Sequence, residues 1–173
     1  MSRIERPEAT EYAPYYAGYV DSVPDGDIVE ILERQGRDLG ALLAGLPADR
    51  GDHRYAPDKW SVKEVVGHIT DAERIFTYRA LRISRGDATP LPAFEQDAYV
   101  QRGAFGRRSI GDLAAEFSAV RAATLALLRA MTDEESRRAG TAGNNPVSAR
   151  ALAYIAAGHE RHHARILRER YLT

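Results

Sequence analysis

Apolar residues recur with a helical period along most of this chain, and no segment alternates convincingly between apolar and polar positions. A helical period is typical of α-helices that bury one face, whereas alternation would indicate half-buried strands. The pattern predicts four long helices, over residues 27–46, 61–84, 109–131 and from 146–148 to 171. We therefore expect an all-α protein that folds as a four-helix bundle about 30 Å long.

The ends of the predicted helices carry start and stop signals. Pro47 follows the first helix, where a proline commonly marks the end of one. Ser61 and Glu64 have the spacing of a capping box, in which each side chain accepts a hydrogen bond from the backbone N–H of the other residue. Ser109 and Asp112 make a similar start. These signals fix where the second and third helices begin.

The connection between the second and third helices, residues 85–108, is much longer than the other loops. It holds two prolines, three glycines and scattered apolar residues, with too little period for a helix of its own. Its length is sufficient to cross the whole bundle. We therefore expect the second and third helices to run parallel, with this crossover packed over one end of the bundle near any functional site.

Length and composition favour a single domain. With 173 residues the chain can form one core, and the tyrosine-rich residues 1–26 are predicted to form an arm that packs on a bundle domain of residues 27–173. The net charge is -1 and the basic residues are interleaved with acids, which argues against nucleic acid or an anionic membrane as a partner. Because no apolar run reaches the length of a membrane span, a cytoplasmic protein is expected.

The chain has no cysteine, which narrows the chemistry available to it. A disulfide framework, a thiolate metal ligand and a cysteine nucleophile are all excluded. Any metal must therefore be held by His, Asp or Glu, and any thiol chemistry needs a thiol that arrives from solution.

Three of the five histidines interrupt apolar stripes on predicted helices. His159 and His163 lie one turn apart on the same face of the fourth helix, and His68 lies in the inward stripe of the second helix. A lone buried histidine is usually a neutral side chain with a hydrogen-bond partner in the core. Three in one small bundle instead indicate a shared divalent metal, and three imidazoles leave coordination positions open, as at catalytic sites.

Other residues near this trio have weaker interpretations. His162 lies at the edge of the inward face and is expected to pack against a neighbour, while His53 is expected on the solvated surface. Asp71 has the spacing to hydrogen-bond the free ring nitrogen of a ligand histidine. An ordinary ion pair between Asp71 and Arg74 is an equal alternative.

The string from His159 to His163 also matches the H-E-x-x-H pattern of metalloproteases, with Glu160 as the general base. The extended form of that pattern fails, because Ile166 stands where its glycine belongs and Glu169 where its third histidine belongs. Glu160 is also about 100° round the helix from His159, which points it away from the predicted metal. Peptidase activity is therefore not the preferred interpretation.

Two stretches together resemble the DinB/YfiT-like superfamily of metal-binding four-helix bundles. In Lys59–Ile69 a Trp-Ser pair opens a helix shortly before His68, and Ala157–Leu167 contains the His-x-x-x-His of the final helix. The similarity extends over about residues 27–171. It implies a DinB-like bundle with the crossover between the second and third helices.

The resemblance also implies a ligand set and an activity. In this superfamily one histidine of the second helix and two of the fourth bind a divalent ion, often assigned as nickel or zinc, which implies His68, His159 and His163; iron and manganese also suit such a site. Several relatives are transferases that use a low-molecular-weight thiol such as bacillithiol, and one is a mycothiol-dependent isomerase. A metal-dependent thiol S-transferase is thus implied, in which an incoming thiol loses its proton at the metal and attacks a small electrophile.

Two other functions stay open at this point. The same triad could serve a metal-dependent hydrolase that activates water, or a noncatalytic metal-binding interaction module. A small-molecule substrate is expected for either enzyme, and a homodimer is the expected assembly. Asp97, Tyr99 and Asn145 are predicted loop residues whose polarity suits the mouth of the site.

Overall fold

The computed structural model of the protein describes residues 4–172, so the first residues of the predicted arm and Thr173 lie outside it. The predicted all-α bundle of four long helices is confirmed. No helix in the described part of the chain is both long and apolar enough to cross a membrane.

In chain order the helices and strands are α1 (Ala17–Ser22), α2 (Ile28–Ala44), α3 (Val62–Ser84), α4 (Gln96–Gly103), α5 (Ile110–Ala130), α6 (Asp133–Arg137), β1 (Ala139–Ala142), β2 (Asn145–Ser148) and α7 (Ala149–Ile166), followed by a π-helical turn, Leu167–Tyr171.

The long helices α2, α3, α5 and α7 bury their apolar stripes against one another, and α3 runs parallel to α5. Glu73 of α3 meets Arg121 of α5, and Thr77, one turn further along α3, meets Thr124, one turn further along α5. Contacts therefore advance along both helices in the same direction. The predicted crossover between parallel second and third helices is confirmed.

The crossover contains a helix that the sequence pattern did not predict. Helix α4 buries only one side chain, Val100, and one buried position cannot produce a helical period. Nearer its start, the crossover is held by backbone hydrogen bonds between Leu91 and the hairpin residues Thr141 and Gly143. Just after α4, Phe105 is buried against α3. The crossover is thus an ordered layer over the bundle.

The expectation that the chain has no strands was wrong between α6 and α7. Strands β1 and β2 pair antiparallel around the two-residue turn Gly143-Asn144, whose φ angles of 57° and 65° are both positive. Gly and Asn tolerate this conformation, which is typical of tight hairpin turns. Each strand has four residues, too few for a clear alternation, and the hairpin occupies the predicted start of the fourth helix at 146–148, so α7 begins at Ala149.

The predicted starts of the second and third long helices are confirmed. The Ser61 N–H donates to the Glu64 carboxylate at 2.6 Å, and the Glu64 N–H donates to Ser61 Oγ at 3.2 Å. Ser109 and Asp112 exchange the same pair of bonds at 3.4 and 3.0 Å. Helix α2, the first of the four predicted helices, ends at Ala44, slightly before the predicted residue 46. Local capping chemistry therefore sets the register of α3, the helix that carries His68.

Residues 4–26 pack on the bundle. The side chains of Ile4, Tyr12 and Val20 are buried in the same apolar cluster as residues of α3 and α7. Glu11 of the arm packs against the first residues of α7. Its carboxylate accepts hydrogen bonds from Ser148 Oγ at 2.6 Å and from Arg150 Nε at 2.8 Å. Partial burial alone would raise the pKa of Glu11, but hydrogen bonds from Arg150, Ser148 and the Glu8 N–H lower it to about 2. The arm is thus tied to the helix that carries His159 and His163, two of the three predicted metal ligands.

Replacing Glu11 with Gln is expected to lower the free energy of unfolding by about 1–3 kcal/mol at pH 7. The folded-state pKa lies below the ordinary value of 4.5, so the ionised carboxylate stabilises the fold above that pH, and its contribution is lost as the pH falls through about 2. Urea unfolding of both proteins should therefore show a difference that shrinks to roughly half or less at pH 3. Glu30→Gln, on an exposed helix face, is the control. An equal loss in both variants, or a loss that does not depend on pH, would contradict this account.

Candidate metal site

The three histidines predicted as metal ligands come together between α3 and α7. The Nε2 atoms of His68 and His159 are 2.9 Å apart, and one ring nitrogen from each of the three histidines lies within 4.8 Å of the others. His68 and His159 are buried, whereas His163 is half-buried. The group is therefore enclosed on the core side and reachable from the side of His163.

Burial keeps all three imidazoles in the neutral form that binds metals. Desolvation lowers the pKa of His68 to about 4, although the nearby Asp97 carboxylate acts in the opposite direction. Desolvation also lowers the pKa of His163 to about 3, helped by the positive charge that His68 and His162 would carry. The pKa of His159 is lowered well below its ordinary value for the same reasons. At neutral pH the three rings thus present lone pairs rather than charges.

The arrangement fits one divalent ion. Ligand nitrogens bonded to a tetrahedral metal at about 2.0–2.1 Å lie roughly 3.4 Å apart. The observed spacing, from 2.9 Å for one pair up to at most 4.8 Å, brackets this value, so small side-chain adjustments would bring all three onto one ion. No carboxylate or further histidine joins the group within the described residues. Three imidazoles suit zinc, nickel and iron, and they leave coordination positions open.

A glycine precedes the first histidine on each helix, and both glycines allow a close approach. A Cβ at Gly158 would lie 2.1 Å from the backbone oxygen of Tyr19, which is closer than any real contact. A Cβ at Gly67 would lie 2.4 Å from the ring of Phe105. Glycine at position 158 therefore allows α1 to lie directly on α7, and this places the ring of Tyr19 5.6 Å from that of His159.

Two cavities flank the histidines. The first, of about 240 Å³, has His68 and His159 in its wall and is otherwise mostly aromatic. Its remaining lining residues are Tyr15, Tyr16, Tyr19, Phe76, Phe94, Glu95 and Gln96. The second, of about 270 Å³, lies on the other side and is lined by His163, Trp60 and Asp97 among others. A small molecule in either cavity would reach the ring nitrogens.

The three predicted substrate-site residues have different positions. Asp97, on α4, lines the second cavity beside His163. Tyr99 packs edge-on against Phe94 with ring centres 5.4 Å apart, so it supports the wall of the first cavity from behind. Asn145 lies in the hairpin, where its side-chain amide donates to the Gly143 carbonyl, and it lines neither cavity. The structure therefore brings Asp97 to the histidines and leaves Asn145 away from them.

The other residues singled out in the sequence, His162, His53 and Asp71, each contact a neighbouring side chain. His162 is half-buried and packs against Tyr19, with ring centres 5.5 Å apart. His53 is half-buried rather than fully solvated, because it packs against Tyr171 with ring centres 6.3 Å apart. Asp71 forms an ion pair with Arg74, with the nitrogen and oxygen atoms 3.4 Å apart. Of the two alternatives for Asp71, the structure therefore has the ion pair and not the hydrogen bond to a ligand histidine.

Behind the histidines lies a buried ionic cluster that the sequence pattern did not reveal. Arg121 of α5 donates to both carboxylate oxygens of Glu73 of α3 at 2.7 Å and to the Leu32 carbonyl of α2 at 2.6 Å. Glu160, next to His159, points into this cluster with its Oε2 3.7 Å from Arg121. Burial raises the pKa of Glu160 to about 7, although Arg121 acts in the opposite direction. Glu160 thus faces the core and away from the histidines, so it does not act as their general base.

The sequence of the bundle matches a known family. A family model for the DinB superfamily matches residues 31–167, which is most of the chain. The chain belongs to the DinB superfamily. The histidines of this DinB protein lie within the matched range, as does the crossover. A search of curated protein sequences found no match.

Two solved structures resemble this DinB protein in fold. YfiT from Bacillus subtilis, described as a probable metal-dependent hydrolase with an unusual four-helix bundle topology, superposes with a TM-score of 0.71 at 18% identity, over 91% of this chain and 93% of YfiT. The DinB-like protein YjoA from Bacillus subtilis gives a TM-score of 0.59 at 24% identity, over 82% of this chain and 87% of YjoA. At these identities the likeness establishes the shared fold.

Proposed function

We propose that this DinB protein is a divalent-metal-dependent enzyme that transfers a low-molecular-weight thiol, of the bacillithiol or mycothiol kind, onto small electrophiles. The observation that carries the proposal is the convergence of three neutral imidazoles, two of which line an aromatic cavity. His68, His159 and His163 would hold zinc, nickel, iron or manganese. Such an ion supplies a Lewis-acidic centre that lowers the pKa of a thiol or water molecule bound to it.

The chain's own residues would position the reactants. The chain has no cysteine, so a thiol nucleophile has to arrive as a second substrate. The rings of Phe76 and Phe94 would bind the apolar body of the electrophile and exclude water from it. Asp97, which lines the second cavity together with His163, would accept the proton that the incoming nucleophile releases.

A metal-dependent hydrolase of a small substrate is the second candidate. Asp97 could accept a proton from water as readily as from a thiol, and YfiT is described as a probable metal-dependent hydrolase. Glu160 cannot serve as the base in either reaction, because its carboxylate lies in the core beside Arg121. The two candidates thus share the site and differ in the nucleophile.

An activity screen with and without thiol separates them. The zinc-loaded and nickel-loaded proteins should accelerate conjugation of a small thiol to a chromogenic aryl halide. The acceleration should vanish in His163→Ala, which removes a ligand. Asp97→Asn should lower the rate roughly 10²-fold, while Asp49→Asn, on an exposed turn, should leave it unchanged.

Each other outcome of the screen rejects the transferase. Turnover of esters or amides without any thiol, lost in His163→Ala, would replace it with the hydrolase. Equal rates for the wild type and His163→Ala, across several thiols, electrophiles and esters, would leave the noncatalytic metal-binding module.

A further inference from the structure

A groove separate from the two cavities runs along the outer edge of the histidine site. It has a volume of about 560 Å³ and lies between the arm with α1 and the second half of α7. Its polar lining residues are Tyr15, Tyr19 and Ser22 on one side and Arg161, His162 and Arg165 on the other. None of these side chains has a part in the proposed transfer reaction.

The groove is positively charged. Arg161 and Arg165 are four residues apart on α7, so their side chains project from the same face. Among the described residues Arg161 has no acidic group within ion-pair distance, and no acidic residue lines the groove. Arg165 contacts Glu169 at 3.2 Å, but their side chains are 60% and 54% exposed, and such a surface pair is weak enough for a ligand to displace.

The groove and the histidine site share a wall. Tyr15 and Tyr19 line both the groove and the first cavity, and the ring of Tyr19 packs against the rings of His159 and His162, with ring centres 5.6 and 5.5 Å apart. The thickness of one side chain therefore separates the positive groove from the ring nitrogens. A small molecule that passes the edge of these tyrosines could occupy both sites at once.

We propose that this groove binds an oxyanion of the substrate, a carboxylate or a phosphate, through Arg161 and Arg165. The planar guanidinium group matches both oxyanions with paired hydrogen bonds, and two arginines on successive turns offer two such groups to one anion. The proposal rests on the proposed function, since it assigns the class of molecule used at the histidines. The reacting end of the substrate would then lie in the first cavity, beside His68 and His159, while its anionic end is held in the groove.

Binding of inorganic phosphate and of succinate tests the groove directly. Both probes are titrated into the full-length zinc-loaded protein and followed by amide NMR shifts. We expect shifts at Gly18, Ser22 and Arg165, and binding at least roughly tenfold weaker in the double variant Arg161→Gln/Arg165→Gln. Glu169→Gln should bind about two- to threefold more tightly, because it frees Arg165. Arg34→Gln, on an exposed face of α2, is the matched control for lost charge.

The outcomes separate this proposal from the proposed function. Tighter binding of phosphate assigns a phosphoryl group, and tighter binding of succinate assigns a carboxylate. Unchanged affinity in the double variant, or shifts confined to the histidines, overturns the groove while leaving the metal-dependent activity intact. Zinc content is measured in each variant, and loss of zinc from the double variant would also overturn the proposal, because the arginines would then support the fold. Absence of zinc from the wild type would instead reject the proposed function.

Discussion

Replacing Arg121 with Met is expected to lower the free energy of unfolding by about 3–5 kcal/mol. The Arg121 side chain is 3% exposed and that of Glu73 is 2% exposed, so the substitution leaves a carboxylate buried without its partner. Glu160 would lose its nearest cation at the same time. The Leu32 carbonyl would lose a donor as well, which adds to the cost. Urea unfolding, monitored by circular dichroism, measures this loss of unfolding free energy.

Matched variants separate this effect from a general loss of charge. Arg129→Met removes an arginine whose side chain is 43% exposed and paired with Glu33, and should cost less than about 1 kcal/mol. The double variant Arg121→Met/Glu73→Met should recover much of the stability, because an apolar pair can replace a buried ion pair at little cost. If Arg121→Met does not fold, Glu73→Gln provides the milder measurement. Equal losses for Arg121→Met and Arg129→Met would show that the buried cluster does not hold the bundle together.

The sequence predicted the histidine site because its signal is local. The spacing between His159 and His163 places them on one helical face whatever the rest of the fold does, and the capping box at Ser61 sets the register that turns His68 inward. Three histidines in the apolar stripes of one small bundle have few alternatives to a shared ligand. The crossover could also be predicted from the sequence, because the length of a connection limits how it can join two helices.

Other features depend on contacts between distant residues and could not be predicted. Nothing in the pattern pairs Arg121 with Glu73 or brings Tyr19 to His159, since both contacts follow from how separate helices pack. One signal was present: a glycine stands directly before His68 and before His159, and a glycine inside a helix costs stability unless something packs closely against it. The two strands were missed because four residues are too few to show alternation.

Replacing any one of His68, His159 or His163 with Ala is expected to weaken metal binding by more than about 100-fold. Loss of even an outer-shell partner of a metal ligand typically costs roughly 10–100-fold in affinity, and loss of a direct ligand costs more. The helical circular dichroism should persist in each variant, because the apolar core of α2, α3, α5 and α7 does not depend on the metal. His53→Ala and His162→Ala remove histidines outside the cluster and serve as controls.

Metal content per chain, measured by elemental analysis after zinc loading and dialysis, tests the central claim most directly. The account predicts about one zinc per chain for the wild type and for both control variants, and almost none for the three ligand variants. Full occupancy in folded His68→Ala, or no zinc in the wild type, would contradict it.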